Sequence, residues 1–272
     1  MTIVEPRRIT SMPPTRSNAP PAPAVITLDA VSKVYRSRQT VVPALDAISL
    51  TIPRHGFTCI VGASGCGKST LLNLLAGLDS PSSGGLDVVG RTGLMFQESA
   101  LFPWLTVAGN VELALKLRKV PKADRRGRVA ELLELVHLSD FADKRPHELS
   151  GGMRQRVALA RTLAQDADVL LMDEPFGSLD AMTRDVMHDE LESIWQRTGA
   201  TIVFVTHNVR EAARLGDRIV LLSSRPGRVA QTFEVDDVEF ARPRRIEDRA
   251  VSELAADVTA ALRREVARHG RR

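Results

Sequence analysis

The stretch that most restricts the fold of this 272-residue chain runs from "ISLTIPRHGFTCIVG" through "GASGCGKST" to "KSTLLNLLAGL", residues 48–78. Its first part alternates apolar and polar residues and then becomes continuously apolar up to Gly62, as a strand does on entering a buried sheet and ending in a turn. Its last part spaces Leu71, Leu72, Leu75 and Leu78 for one apolar helix face. Strand, glycine-rich loop and helix in direct succession open a parallel α/β unit. Two later runs, "DVLLMDE" at 168–174 and "TIVFVTH" at 201–207, are apolar throughout and predict strands covered on both faces. With 43% hydrophobic residues the chain can fill such a core, as one large α/β domain or two small ones.

The loop spacing, Gly62-x-x-x-x-Gly67-Lys68-Ser69, carries chemistry as well as a turn. Consecutive backbone N–H groups cradle phosphate oxygens, Lys68 neutralises the terminal ones, and the Ser69 hydroxyl is a hard ligand for Mg²⁺. "VLLMDE" ends in two carboxylates, Asp173 and Glu174, where unpaired charge is unfavourable. A magnesium ion held by Asp173 resolves this and leaves Glu174 to polarise water as a general base. His207 follows an apolar strand, where it is either a satisfied structural residue or a donor to a terminal phosphate and the attacking water. Gln97, in "LMFQE", leaves a strand as a surface residue or as part of the same site. Tyr35, the only tyrosine, offers either a half-buried packing ring or a plane on which adenine can stack. Cys66 reads as a small loop residue whose alkylation would block nucleotide binding.

A second anion grip lies in "ELSGGMRQRVALAR", residues 148–161: Ser150 can cap a helix, and Gly151 and Gly152 admit a ligand close to its free N–H groups. Residues 98–165 around it read mostly as helix. Within them Phe102, Pro103, Trp104 and Leu105 form an apolar cluster that either packs inside or lines a groove for a partner. After a strand pair in "DRIVLLSSRPGRVAQTFEV", Val251, Leu254, Ala255, Val258 and Leu262 fall at helical spacing near the C-terminus, which predicts a helix that packs.

The sequence pI is near 9.4, but residues 1–25 carry net +2 and residues 240–272 net +4, leaving net −2 for 26–239. A slightly acidic body argues against nucleic acid as a partner, and basic ends are left to meet lipid headgroups or an acidic protein. No apolar run is long enough to span a bilayer and no secretory signal pattern opens the chain, so a cytosolic protein is expected. Cys59 and Cys66 alone imply no disulfide framework. Residues 1–24, rich in Pro, Ser and Ala, read as a disordered extension.

Together these motifs resemble the ATP-binding subunits of ABC transporters over about residues 26–230. Gly62, Ala63, Ser64, Gly65, Cys66, Gly67, Lys68, Ser69 and Thr70 look like Walker A, Gln97 like the Q-loop and "LSGGMRQ" like the signature. "VLLMDEP" looks like Walker B, "SLD" ending in Asp180 like the D-loop, and "THNVREA" like the switch-histidine region. "FQESALFPWLTVAGNV", "LLMDEPFGSLDAMTR" and "LSSRPGRV" are more specifically similar to importers of nitrate, sulfonates and taurine. The resemblance implies a P-loop α/β core over residues 25–240 with an antiparallel edge sheet, an inserted helical subdomain at about 98–165 and a helical tail at 241–272. It implies an ATPase using ATP and Mg²⁺, with Ser69, Gln97 and Asp173 toward the metal and Glu174, His207 and Gln97 toward catalysis. Tyr35, Ser150, Gly151, Gly152 and Asp180 join Walker A in nucleotide binding. A head-to-tail pair of cassettes explains the second grip, since each ATP lies between one phosphate loop and the partner's signature. The other partners implied are a separate membrane permease and, indirectly, an extracytoplasmic solute-binding protein, with the chain peripheral on the cytoplasmic face of the membrane. The alternatives are a non-transport ABC ATPase acting on nucleic acid or ribosomes, against which the single compact cassette argues, and a regulatory protein without turnover, against which Glu174 and His207 argue. Two departures stand out: Ser178 where many relatives have Ala, and a short stretch between Gly84 and Gln97.

Overall fold

The structure, a computed structural model, describes residues 23–37, 40–235 and 242–269. All but the last two residues of the expected N-terminal extension lie outside the described residues. In chain order the first elements are β1 (Ala24–Arg36), β2 (Val41–Pro53), β3 (Phe57–Val61), α1 (Lys68–Leu75), β4 (Ser83–Val88) and β5 (Thr92–Met95). Three helices follow, α2 (Val107–Leu117), α3 (Lys122–Leu135) and α4 (Gly151–Leu163). Then come β6 (Val169–Asp173), α5 (Ala181–Thr198), β7 (Thr201–Thr206), α6 (Val209–Leu215), β8 (Arg218–Leu222), β9 (Val229–Glu234) and α7 (Arg249–His269).

Two sheets form. An antiparallel sheet has the order β2-β1-β4, and a six-stranded sheet has the order β5-β6-β7-β3-β8-β9, parallel except for the edge strand β9. Period-two alternation sorts the parallel strands between two cores. Phe57, Cys59, Leu170, Met172, Ile202, Phe204, Ile219 and Leu221 face the helices α2 to α7. Ile60, Val169, Leu171, Val203, Val205, Val220 and Leu222 face α1 and the antiparallel sheet. A strand buried on both faces has no position for a polar side chain, which is why "VLLM" and "IVFV" are unbroken runs.

Helix α1 differs from expectation at its end. Gly77 takes a left-handed φ of 67°, the helix stops at Leu75, and Leu74 joins Leu71, Leu72 and Leu75 in the core while Leu78 is left 64% exposed. The face assigned to Leu78 is corrected accordingly, because a residue beyond a glycine cap no longer follows the helical repeat.

The short stretch after Gly84 is compact for a definable reason. Only residues 89–91 separate β4 from β5, and Gly90, at φ 95°, lies so near the start of β6 that a Cβ there would come within 2.5 Å of Asp168. Asp168 accepts the Arg91 N–H at 2.9 Å, which pins the connection to the sheet. At the other end of the chain, α7 buries Val251, Ala255, Val258 and Ala261 and packs on α6 and β9, with Leu254 and Leu262 half-buried beside them. Arg242 leads into this helix. Its guanidinium bonds Glu192 at 2.7 Å and Asp217 at 2.6 Å and stacks 4.5 Å from the Trp195 ring centre. Arg244, 1% exposed, donates to the Gly216 carbonyl at 2.6 Å. Part of the basic C-terminal charge is therefore internal to the fold.

Candidate active site

Parallel strands deliver their C-terminal ends to one edge of the sheet, the place where open α/β sheets bind ligands. At that edge lie the ends of β3, β6 and β7, and with them the phosphate-type loop, Asp173–Glu174 and His207. Gly67 starts α1 with φ 99° and no capping side chain, so the first N–H groups of the helix remain open to an anion. Its missing Cβ is required, since one would meet Leu45 at 2.7 Å and the Ala44 carbonyl at 2.8 Å. Lys68 is buried, and its ammonium donates to the Gly62 and Ala63 carbonyls at 3.0 and 3.2 Å. The cation is thus held inside the loop it serves. Cys66 lies under the loop, 1% exposed, and burial pushes its thiol up despite the Lys68 charge. A buried thiol held in its neutral form is a poor target for the alkylation considered above.

Glu174 follows β6 in the left-handed region, at φ 45°, a strained position for a residue other than glycine. Its N–H is held by the Val205 carbonyl at 2.9 Å, and its Oε2 accepts the His207 Nδ1–H at 2.8 Å. Burial pushes the Asp173 carboxyl up, Ser69 and Lys68 oppose this, and the neighbouring Glu174 adds to it. Gln97 reaches the same place: a Cβ on Gly177 would lie 3.8 Å from Glu174 Oε2 and 3.9 Å from Gln97 Nε2. Ser69 and Asp173 form an oxygen donor pair, and no group of three His, Cys, Asp or Glu side chains that could hold a metal occurs among the described residues. Such a pair fits Mg²⁺, which takes one or two protein ligands and fills its shell with phosphate oxygens and water.

The second grip stands elsewhere. Ser150 caps α4, accepting the Met153 N–H at 3.2 Å, and among the described residues no hydrogen bond or ion pair joins 150–152 to 62–70. Gly152 packs on the start of α5, where a Cβ would meet Thr183 at 2.5 Å. Asp180 caps α5, accepting from the Thr183 N–H at 3.0 Å and hydroxyl at 2.7 Å, and these bonds hold its carboxyl below the usual range. Tyr35 is 42% exposed, its hydroxyl on Asp79 at 3.2 Å and its ring 5.1 Å from the Lys33 ammonium.

Two features were not read from the sequence. The loop of residues 223–228 lies against the phosphate loop: Arg225 Nη2 would be 2.8 Å from a Cβ on Gly65, and a Cβ on Gly227 would collide with the Cys66 carbonyl at 2.2 Å. Gly227 was the available signal. Asn110 is the other. Wholly buried, it accepts the Phe102 N–H at 2.8 Å and donates to the Phe102 and Thr106 carbonyls at 3.2 and 2.9 Å. It builds the turn that presents Trp104, which is 68% exposed with its ring 5.5 Å from that of Phe102. The packed alternative for Trp104 is overturned.

Residues 45–177 match the ABC transporter family. The taurine import ATP-binding protein TauB of Rhizobium johnstonii is 49% identical over 205 residues, 72% of this chain and 78% of its own length. The nitrate import ATP-binding protein NrtD of a Synechocystis species is 45% identical over 214 residues, 76% of this chain and 80% of its own. Among solved structures, a dimeric post-hydrolysis state of the ATP-binding cassette MJ0796 bound to ADP and Pi superposes with a TM-score of 0.70 at 33% identity, covering 78% of this chain and 99% of that one. CbiO1 from Clostridium perfringens, part of the ABC transporter complex cbiONQ, gives a TM-score of 0.70 at 26% identity, covering 81% of this chain and 92% of that one.

Proposed function

The chain belongs to the ABC transporter ATP-binding family, and on that premise we propose that it powers import of a small anion or organosulfur or nitrogen solute, of the nitrate, sulfonate or taurine type, through a separate permease. It is the ATP-hydrolysing subunit of an ABC importer. The solute class rests on relatives named for taurine and nitrate import.

The observation that carries the mechanism is the 2.8 Å pair between His207 and Glu174 beside the phosphate loop. Loop N–H groups and Lys68 bind the nucleotide's phosphates and draw charge off the terminal one. Glu174 accepts a proton from the attacking water, and His207 fixes the orientation of that carboxylate and reaches toward the terminal phosphate. Ser69, Gln97 and Asp173 are the residues that would hold Mg²⁺, which when bound neutralises phosphate charge. Tyr35 stacks on adenine. Ser150, Gly151 and Gly152 complete the site of a second, antiparallel copy, and Asp180 sets the loop that faces that copy. What supports this pairing is the separation of the two grips in one chain and the dimeric state of the MJ0796 cassette. The exposed Trp104, close in sequence to Gln97, meets a cytoplasmic helix of the permease. An extracytoplasmic binding protein hands over the solute, and the chain is peripheral to the membrane; no helix among the described residues is long and apolar enough to cross it.

Deleting the coding sequence and growing the strain on nitrate, taurine or an alkanesulfonate as sole nitrogen or sulfur source tests the solute class. Loss of growth on one of them, restored by the wild-type chain and not by Glu174→Gln, is the expected result. Unimpaired growth on all three overturns it.

A further inference from the structure

Beneath the candidate site, a buried carboxylate joins two elements that the mechanism above leaves unconnected. Glu211 on α6 is 4% exposed. One of its oxygens, Oε2, accepts the Thr206 hydroxyl at 2.6 Å. The same hydroxyl accepts the Asn208 N–H at 2.9 Å, so bonds on both sides of His207 converge on Thr206.

The other oxygen faces α5. Arg184 Nε stands 3.5 Å from Glu211 Oε1, and the same guanidinium donates to the Phe176 and Leu179 carbonyls at 3.2 and 2.6 Å. Those carbonyls belong to the loop that leaves Glu174 and ends at Asp180. His188, fully buried against the Phe176 ring, takes an Arg214 N–H on Nδ1 at 3.3 Å. Its proton therefore sits on Nε2, which has no hydrogen-bond partner and lies 3.7 Å from Glu211 Oε1. Arg214 in turn is held by Asp189 at 2.5 Å and Asp185 at 3.4 Å. A buried carboxylate with a donor on one oxygen and cationic or N–H groups facing the other has a fixed orientation.

We propose that Glu211 is a positioning residue that couples the 176–180 loop, through Arg184, to His207, through Thr206. Displacement of that loop by a second copy is then felt at the His207–Glu174 pair. The inference rests on the role given to His207 above. Burial pushes the Glu211 carboxyl up, but the facing His188 and Thr206 groups and the Arg184 charge outweigh it and hold it below the usual carboxylate range. The link is accordingly ionic at neutral pH.

The test is steady-state ATP hydrolysis by the full chain, with nucleotide binding and melting temperature measured on the same samples. Thr206→Val removes the hydroxyl at nearly constant volume and is expected to lower kcat about tenfold, with KM for ATP within about twofold. Thr206→Ser keeps the hydroxyl and is expected to restore kcat. Arg184 and Thr206 do not touch, so combining Arg184→Met with Thr206→Val tests the relay itself: a double variant clearly less impaired than the product of the two single losses is expected. Should Thr206→Val not fold, Thr206→Ala, which removes the same hydroxyl, takes its place in the same cycle. Wild-type kcat in Thr206→Val, or multiplicative losses in the double variant, overturns the proposal while a dead His207→Ala leaves the general mechanism standing. Full turnover in His207→Ala overturns both.

Discussion

The two glycine-led helix starts of this chain share a sequence logic and differ in completeness. The one at Gly67 has a buried cation, two neighbouring carboxylates and a histidine around it. The one at Ser150 has its own backbone, its cap and the Arg154 guanidinium, which donates to the Leu149 carbonyl at 2.6 Å. Ser150 and Gly151 are exposed, Gly152 rests on α5, and among the described residues no carboxylate or histidine bonds to this start. Hydrolysing a bound phosphate needs a carboxylate to hold the metal and a base to take a proton from water, as well as N–H groups and a cation. The first start is thus a site within one chain. On the proposed pairing the second is half of a site, and the comparison teaches what a second copy would have to supply: a phosphate loop, carboxylates and a histidine.

The comparison can be broken most decisively at Glu174. Glu174→Gln keeps every binding group of the first start and removes only the base, so turnover should fall by roughly a hundred- to ten-thousandfold while MgATP still binds. ATP then persists between the two kinds of start, and size-exclusion chromatography should show a dimer with ATP and a monomer without it. A variant that stays monomeric at saturating ATP removes the basis for treating the Ser150 start as half a site.

Lys68→Ala attacks the complete start directly. Loss of a charge-assisted contact should weaken ATP binding to the single chain by roughly a hundredfold. Ser150→Ala sharpens the contrast. Binding of a fluorescent ATP analogue by the monomer should be within about twofold of wild type, while hydrolysis at high protein concentration drops about tenfold. Equal losses of monomer binding in the two variants would make the starts equivalent and sink the distinction.

The smallest expected effect on the chain itself is at Trp104. Truncating a buried tryptophan destabilises by about 3–5 kcal/mol, whereas one 68% exposed has little packing to lose, so Trp104→Ala should cost under about 1 kcal/mol. Its melting temperature and ATPase activity should match wild type, and capture of the permease subunits in pull-downs should fall. A large fall in melting temperature would assign the ring to the subdomain core.

Much of this architecture is legible in the sequence because the parallel strands leave it no freedom. "FTCIV", "VLLMD" and "TIVFVT" are buried on both faces, and each is punctuated by the loop that carries chemistry. Order along the chain then places Lys68, Glu174 and His207 at one edge. What was not legible depends on contacts between distant residues. Nothing local to Glu174 signals a left-handed backbone, and the Val205 carbonyl that takes its N–H lies on a different strand, far off in sequence. Nothing in "FPWL" says that Asn110, eight residues beyond Phe102, turns the segment outward. Leu78 fails for the opposite reason: the helical repeat was extended past a glycine that had already ended it.

Arg242 and Arg244 bear on how this protein can be cut or fused. A boundary drawn at residue 240 looks from composition like the removal of a charged appendage. In the fold it would strip Glu192 and Asp217 of the guanidinium that bridges them at 2.7 and 2.6 Å and uncover the faces of α6 and β9 on which α7 packs. Leaving one buried partner of such a pair uncompensated is destabilising by about 3–5 kcal/mol, a large fraction of a domain's total stability. The segment after residue 240 closes the body from behind, and an expression truncation that omits it should yield aggregate rather than a trimmed ATPase.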